Sequence, residues 1–206
     1  MDAIKELVQR YPQLTALEDM VRAAADMIID CYRRGGTVYT VGNGGSAADA
    51  SHIVGEFMKA FVKPRPVPSE DVEAFKGCPD GDYLSSRLQC GFRAISLVTQ
   101  EGITTAVQND QGWDLGPAQE LYSLARKGDV LIGISTSGNA RNVHLACQVA
   151  KVRGVGIIGL AGKDGGLLAK DSDVAIVVPE RETYKIQEFH LPIYHAICIA
   201  VEDAFF

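Results

Sequence analysis

One local pattern, used twice, constrains this chain more than any other. A β-branched run at residues 37–41 (TVYTV) leads directly into GNGGS at 42–46 and then into a helical segment from 47 to about 61. The run at 129–134 (DVLIGI) leads in the same way into STSGN at 135–139 and a helical segment at 140–152. Further apolar runs at 154–160 and 173–178 read as strands, and 186–204 reads as a last, largely apolar helix. Short buried strands alternating with helices predict an α/β three-layer sandwich, with a central parallel sheet flanked by helices.

Upstream, Leu7, Leu14, Leu17, Met20, Val21, Ala24, Met27, Ile28 and Cys31 recur at helical spacing until Gly35 and Gly36 stop them. This predicts an N-terminal helical segment over 1–35. Residues 63–93 break the rhythm with Pro64, Pro66, Pro68 and Pro79 and the acidic Glu70, Asp71 and Glu73. They read as a loop inserted between elements. A chain of 206 residues is then expected to form a single domain over 1–206.

A turn of small residues between a parallel strand and the next helix points free backbone N–H groups outward at the positive end of that helix. Such turns lie at the carboxyl ends of the strands, where open α/β sheets bind ligands. Ser135, Thr136 and Ser137 add hydroxyl donors without charge. Neither turn carries a P-loop lysine, and glycines at 42, 44 and 45 do not match the dinucleotide spacing. Two such turns in equivalent places favour a phosphate or phosphosugar over tight turns and N-caps alone. A net charge of −6 argues against charge-driven binding of nucleic acid. The N-terminus has no signal-peptide core and no stretch is long enough to span a membrane. Five scattered cysteines without a CxxC pair read as small buried hydrophobes in a reducing, cytoplasmic setting.

Four polar residues fall on helix faces. His52 and Glu56 are four apart, and Gln187 and His195 eight apart, so each pair shares a face. Together they suit either tetrahedral zinc ligation or proton transfer beside a carbonyl; a solvated surface pair is the plain alternative for His52 and Glu56. His190 faces elsewhere and reads as structural, His144 as partly exposed, and Trp113 as a packing residue. Glu188 is within reach of a neighbouring subunit.

The motifs VGNGGS (41–46), GISTSGN (133–139), GKDGG (162–166) and IQEFH (186–190) resemble, in that order, the sugar isomerase (SIS) domain, and within it the phosphoheptose isomerases. The resemblance implies a flavodoxin-like sheet. It also implies an aldose–ketose isomerase turning sedoheptulose 7-phosphate into D-glycero-D-manno-heptose 7-phosphate through an enediol. It assigns Asn43, Gly44, Gly45 and Ser46 to a substrate loop, Asn109 and Asp110 to a further substrate contact, and Ser135, Thr136 and Ser137 to the phosphate loop. It makes His52, Glu56, Gln187 and His195 the ligands of one zinc per site, with Glu56 and Gln187 also touching substrate. Glu56 is then the base, whose partial burial is expected, and His195 the shuttle of the hydroxyl proton. A homotetramer with active sites between subunits is implied as well. Three departures stand out: Ala140 where a serine is usual, the long 63–93 segment, and the approach at 180–184. Two rival readings remain at this level: a non-catalytic SIS domain that binds a phosphosugar or a replication initiator, and an isomerase of another ketose phosphate.

Overall fold

The structure, a computed structural model, describes residues 2–206. The N-terminal segment, of which Met1 lies outside the described residues, is built of two α-helices joined by a 3₁₀ turn. Helix α1 (Ala3–Arg10) is capped by Asp2, whose carboxylate accepts from the Ile4 and Lys5 amides. A 3₁₀ turn (Pro12–Leu17) separates it from α2 (Glu18–Arg33). Apolar periodicity runs through the break. Pro12, which has no N–H to donate, ends α1 regardless.

Both strand–turn–helix units form as read. Strand β1 (Val38–Val41) precedes α3 (Gly45–Met58), and β3 (Val130–Ser135) precedes α8 (Arg141–Arg153). Between them the chain makes α4 (Ser69–Phe75), α5 (Gly81–Arg87), β2 (Ala94–Ser96), α6 (Glu101–Asp110) and α7 (Gly116–Leu124). It closes with β4 (Gly156–Ala161), α9 (Gly166–Asp171), β5 (Val174–Val177) and α10 (Thr183–Asp203). The segment expected as a loop at 63–93 therefore carries two short helices, pinned at its base by an antiparallel bridge between Pro66 and Gln89.

The five strands pair in the order β2-β1-β3-β4-β5, all parallel. This is the doubly wound flavodoxin-like order, and its direction of winding reverses between β1 and β3. Both small-residue turns leave the sheet at that reversal, on neighbouring strands registered Thr40 to Ile132 and Val41 to Gly133. Helices α1, α2, α3 and α10 bury one apolar cluster against the sheet, and α7, α8 and α9 bury the other.

Some packing expectations fail. Trp113 is 71% exposed and not a packing residue. Cys31, Cys147 and Cys198 are buried as expected, but Cys78 is exposed and Cys90 only half-buried, both on the 63–93 segment.

An ion pair with no solvent exposure fastens the end of α3 to the end of α10. Arg65 Nε donates to Glu202 Oε1 at 2.7 Å. The rest of the guanidinium donates to the carbonyls of Phe57 and Glu56, at 3.0 and 3.3 Å. Glu202 in turn accepts the amides of Phe61, Val62 and Lys63 at 2.8–3.0 Å. Every polar group of this buried pair is used, the condition under which burial of a charge is tolerated. The pair also holds the last turn of α3, where Glu56 sits.

Candidate active site

The first turn is built by glycine. A side chain at Gly42 would collide with the Ser46 carbonyl, and Gly44 sits at φ +56°, where other residues are strained. Asn43 exchanges two amide hydrogen bonds with Asn142 at the start of α8, at 2.8 and 2.9 Å. That exchange ties the two turns together, and it occupies the Asn43 side chain expected to meet substrate. A side chain at Gly45 would run into the amide of Gln187. Ser46 is buried.

The second turn stacks on the GKDGG turn at 162–166. Gly138, at φ +68°, lies against the Gly165 carbonyl with no room for a Cβ. Leu168 N–H donates to Gly138 O, and Asn139 Oδ1 accepts from Leu167 N–H. Ser135 is buried at the end of β3, whereas Thr136 and Ser137 are half-buried at the mouth. Ala140 occupies the N-cap position of α8 without a side-chain cap, so donors of the first turn of α8 keep no acceptor from that residue. Asn109 and Asp110, at the end of α6, bond to each other at 2.7 Å and are exposed.

The acid–base residues meet on α3 and α10. His52 Nε2 lies 3.0 Å from Glu56 Oε1, and Glu56 is only 9% exposed. The His195 ring stands edge-on to His52 with centroids 5.1 Å apart, and the Phe61 ring lies tilted against it at 5.3 Å. His195 Nε2 is buried with no hydrogen-bond partner. Burial, with the neighbouring His52, pulls the His195 pKa below the ordinary histidine value, only partly opposed by Glu56. A histidine left neutral at pH 7 both takes and gives a proton.

Gln187 does not join this cluster within one chain. It lies over Gly45, and eight residues of helix, about 12 Å, separate it from His195. Among the described residues, no group of three or more His, Cys, Asp or Glu converges as a ready cation cage. His190, read as structural, is fully buried and donates from Nε2 towards the Ala161 carbonyl at 3.2 Å. His144, read as partly exposed, pairs with Asp171 at 2.5 Å. Glu188 and His195 both line a groove between α1 and α10.

Sequence spacing missed two residues at this site. Tyr194, 2% exposed, places its hydroxyl 3.0 Å from His52 Nδ1 and donates to Asp49 Oδ1 at 3.2 Å. Asp49 stands one turn before His52 and could have been read from that position. Tyr194, next to His195 in sequence, carries no such signal.

A doubly wound sheet with two neutral small-residue turns at its switch point, and a Glu–His pair on the helix after the first of them, defines an α/β domain of the ligand-binding class. Two SIS-domain profiles match the chain, over residues 1–87 and 115–200. The phosphoheptose isomerase of Aneurinibacillus thermoaerophilus is 36% identical over 98% of this chain and 89% of its own length. That of Pelobacter propionicus is 39% identical over 91% and 88%. Among solved structures, a phosphoheptose isomerase from Neisseria gonorrhoeae superposes with a TM-score of 0.75 at 32% identity, covering 97% of this chain and 94% of its own. The chain belongs to the phosphoheptose isomerases of the SIS domain family.

Proposed function

We propose that this protein interconverts sedoheptulose 7-phosphate and D-glycero-D-manno-heptose 7-phosphate. The observation that carries the reading is the buried Glu56, 3.0 Å from His52, with His195 packed edge-on against the same ring. These are the groups needed to move a carbonyl between adjacent carbons. Glu56 takes the proton from the carbon beside the carbonyl and returns it to the neighbouring carbon, by way of a cis-enediol. His195, kept neutral by burial, moves the hydroxyl proton between the two oxygens. Ser135, Thr136 and Ser137 and the N–H groups at the start of α8 receive the distant phosphate, and Asn43, Gly44, Gly45 and Ser46 line the sugar side. Binding energy gained at the phosphate then orients the reacting carbons.

His52 and Glu56 would hold a zinc, with His195 and the Gln187 amide as the expected further donors; because no three such groups converge within one chain among the described residues, the set would be completed only on assembly or on metal binding. The bare Nε2 of His195 and the approach of His52 Nε2 to a carboxylate oxygen support that set. When bound, zinc polarises the substrate carbonyl. The distance of Gln187 from His195 within one chain, and the groove beside His195, fit sites completed at the interfaces of a homotetramer. No helix among the described residues is long and apolar enough to cross a membrane, which is compatible with a cytoplasmic enzyme.

The test is NMR observation of sedoheptulose 7-phosphate with the protein, with added zinc and with chelator. Formation of the aldose phosphate is expected, with chelator slowing it. Glu56→Gln should lower turnover at least about 100-fold while substrate still binds. Near-normal turnover in that variant would remove Glu56 as the base, and an unchanged ketose with zinc-loaded protein would overturn the reading.

A further inference from the structure

The hydroxyl of Tyr194 sits between Asp49 Oδ1, at 3.2 Å, and His52 Nδ1, at 3.0 Å. A tyrosine hydroxyl has one proton, and a carboxylate can only accept. With that proton given to Asp49, the Tyr194 oxygen faces His52 as a lone pair, so Nδ1 must be the nitrogen that carries N–H. In a neutral imidazole this leaves Nε2 bare. Nε2 is the atom 3.0 Å from Glu56 Oε1.

Two acceptors at that separation repel unless an electropositive centre lies between or beside them; in the metal-free protein Lys59 Nζ, 3.4 Å from Glu56 Oε2, is such a centre. The arrangement suits a metal ligand: the nitrogen away from the metal is fixed by a hydrogen bond, which sets tautomer and ring angle together. Packing reinforces it. Tyr194 meets the His52 ring edge-on at 5.5 Å and the His195 ring at 5.0 Å, so one buried side chain braces both histidines.

We propose that Tyr194 is a positioning residue: anchored on Asp49, its hydroxyl holds His52 as the Nδ1–H tautomer and aims the Nε2 lone pair at the space beside Glu56. This deepens the reading above, in which His52 is a metal ligand, but the tautomer can be measured without metal or substrate.

The experiment compares metal-free wild type with Tyr194→Phe and Asp49→Asn. Long-range ¹H–¹⁵N NMR, recorded across a pH series, reports which ring nitrogen bears the proton. Chelator competition with zinc alone reports metal affinity. Wild type should show the proton on Nδ1. Tyr194→Phe should show a mixture of tautomers and bind zinc about 10- to 100-fold more weakly, with unchanged circular dichroism. Asp49→Asn should move both readouts in the same direction by a smaller factor. A proton on Nε2 in the wild type would overturn the proposal. So would a Tyr194→Phe protein whose His52 tautomer and zinc affinity, within twofold, match the wild type. Failure to isomerise sedoheptulose 7-phosphate would defeat the proposed reaction and leave the tautomer result standing.

Discussion

Replacing Glu202 by glutamine tests the claim that the buried Arg65–Glu202 pair holds the end of α3. The side chain keeps its shape, but one acceptor oxygen becomes an NH₂ group. Each carboxylate oxygen of Glu202 now accepts two hydrogen bonds: Oε1 from Phe61 N–H and Arg65 Nε, and Oε2 from Val62 N–H and Lys63 N–H. Whichever oxygen is replaced, two donors lose their acceptor, and the fully buried Arg65 is left without a counter-charge. Breaking one side of such a pair costs about 3–5 kcal/mol. At about 2–4 °C per kcal/mol for a chain of this size, the melting temperature should fall by about 6–20 °C.

The pH dependence gives a second handle on the same pair. Burial alone would raise the Glu202 pKa, but the amides of Phe61, Lys63 and Val62 and the Arg65 side chain outweigh it and hold the carboxyl below its usual range. A depressed carboxylate contributes stability that is fully present above its unfolded pKa, and that stability disappears as pH falls through the folded value. Urea melts at pH 7 should therefore show the full deficit of Glu202→Gln, and melts below about pH 4 a shrinking one. Because the guanidinium also holds the Glu56 and Phe57 carbonyls, turnover at 25 °C should drop even where the variant stays folded. A loss under about 1 kcal/mol at pH 7, or one that does not vary with pH, would refute the reasoning.

Gly138→Ala should cost about 1–3 kcal/mol and raise KM for a sugar phosphate more than it lowers kcat, because a Cβ there collides with the Gly165 carbonyl and displaces the serine turn; equal effects on both constants would count against a phosphate role for that turn. Glu120 is 4% exposed with both carboxylate oxygens unpartnered, and burial pushes its pKa up to about 7. A raised carboxyl pKa removes stability as pH climbs from the unfolded value to the folded one. Glu120→Gln should therefore match wild type near pH 4.5 and exceed it by up to about 3 kcal/mol above pH 7 in denaturant melts; a difference that does not change with pH would show that Glu120 has an unrecognised partner.

What sequence makes legible here is what short-range chemistry controls. Gly42, Gly44 and Gly45 mark a turn because only glycine fits that backbone, and Ser135 to Asn139 mark the second for related reasons. The β-branched runs beside them alternate with helices, so a parallel sheet follows, and four-residue spacing is enough to put His52 and Glu56 side by side. Where local patterns compete or are too short, the reading failed. Three residues of β2 carry no period, the segment at 63–93 hides two short helices, and Trp113 is exposed despite its size.

By itself, the sequence determined the strand–turn–helix units, the layered α/β class and the family. Tertiary structure decided which residues, distant along the chain, share a buried space. It placed both turns at one sheet reversal, paired Arg65 with Glu202 across 137 residues, and brought Tyr194 to His52 across 142. It also set Gln187 over Gly45 instead of beside His195, although helix periodicity gives the two one face. The physical reason is range. Dihedral preferences and side-chain period act over a few residues and can be read along the chain, whereas the partner of a buried polar group is chosen by how whole elements pack, which no short window of sequence contains.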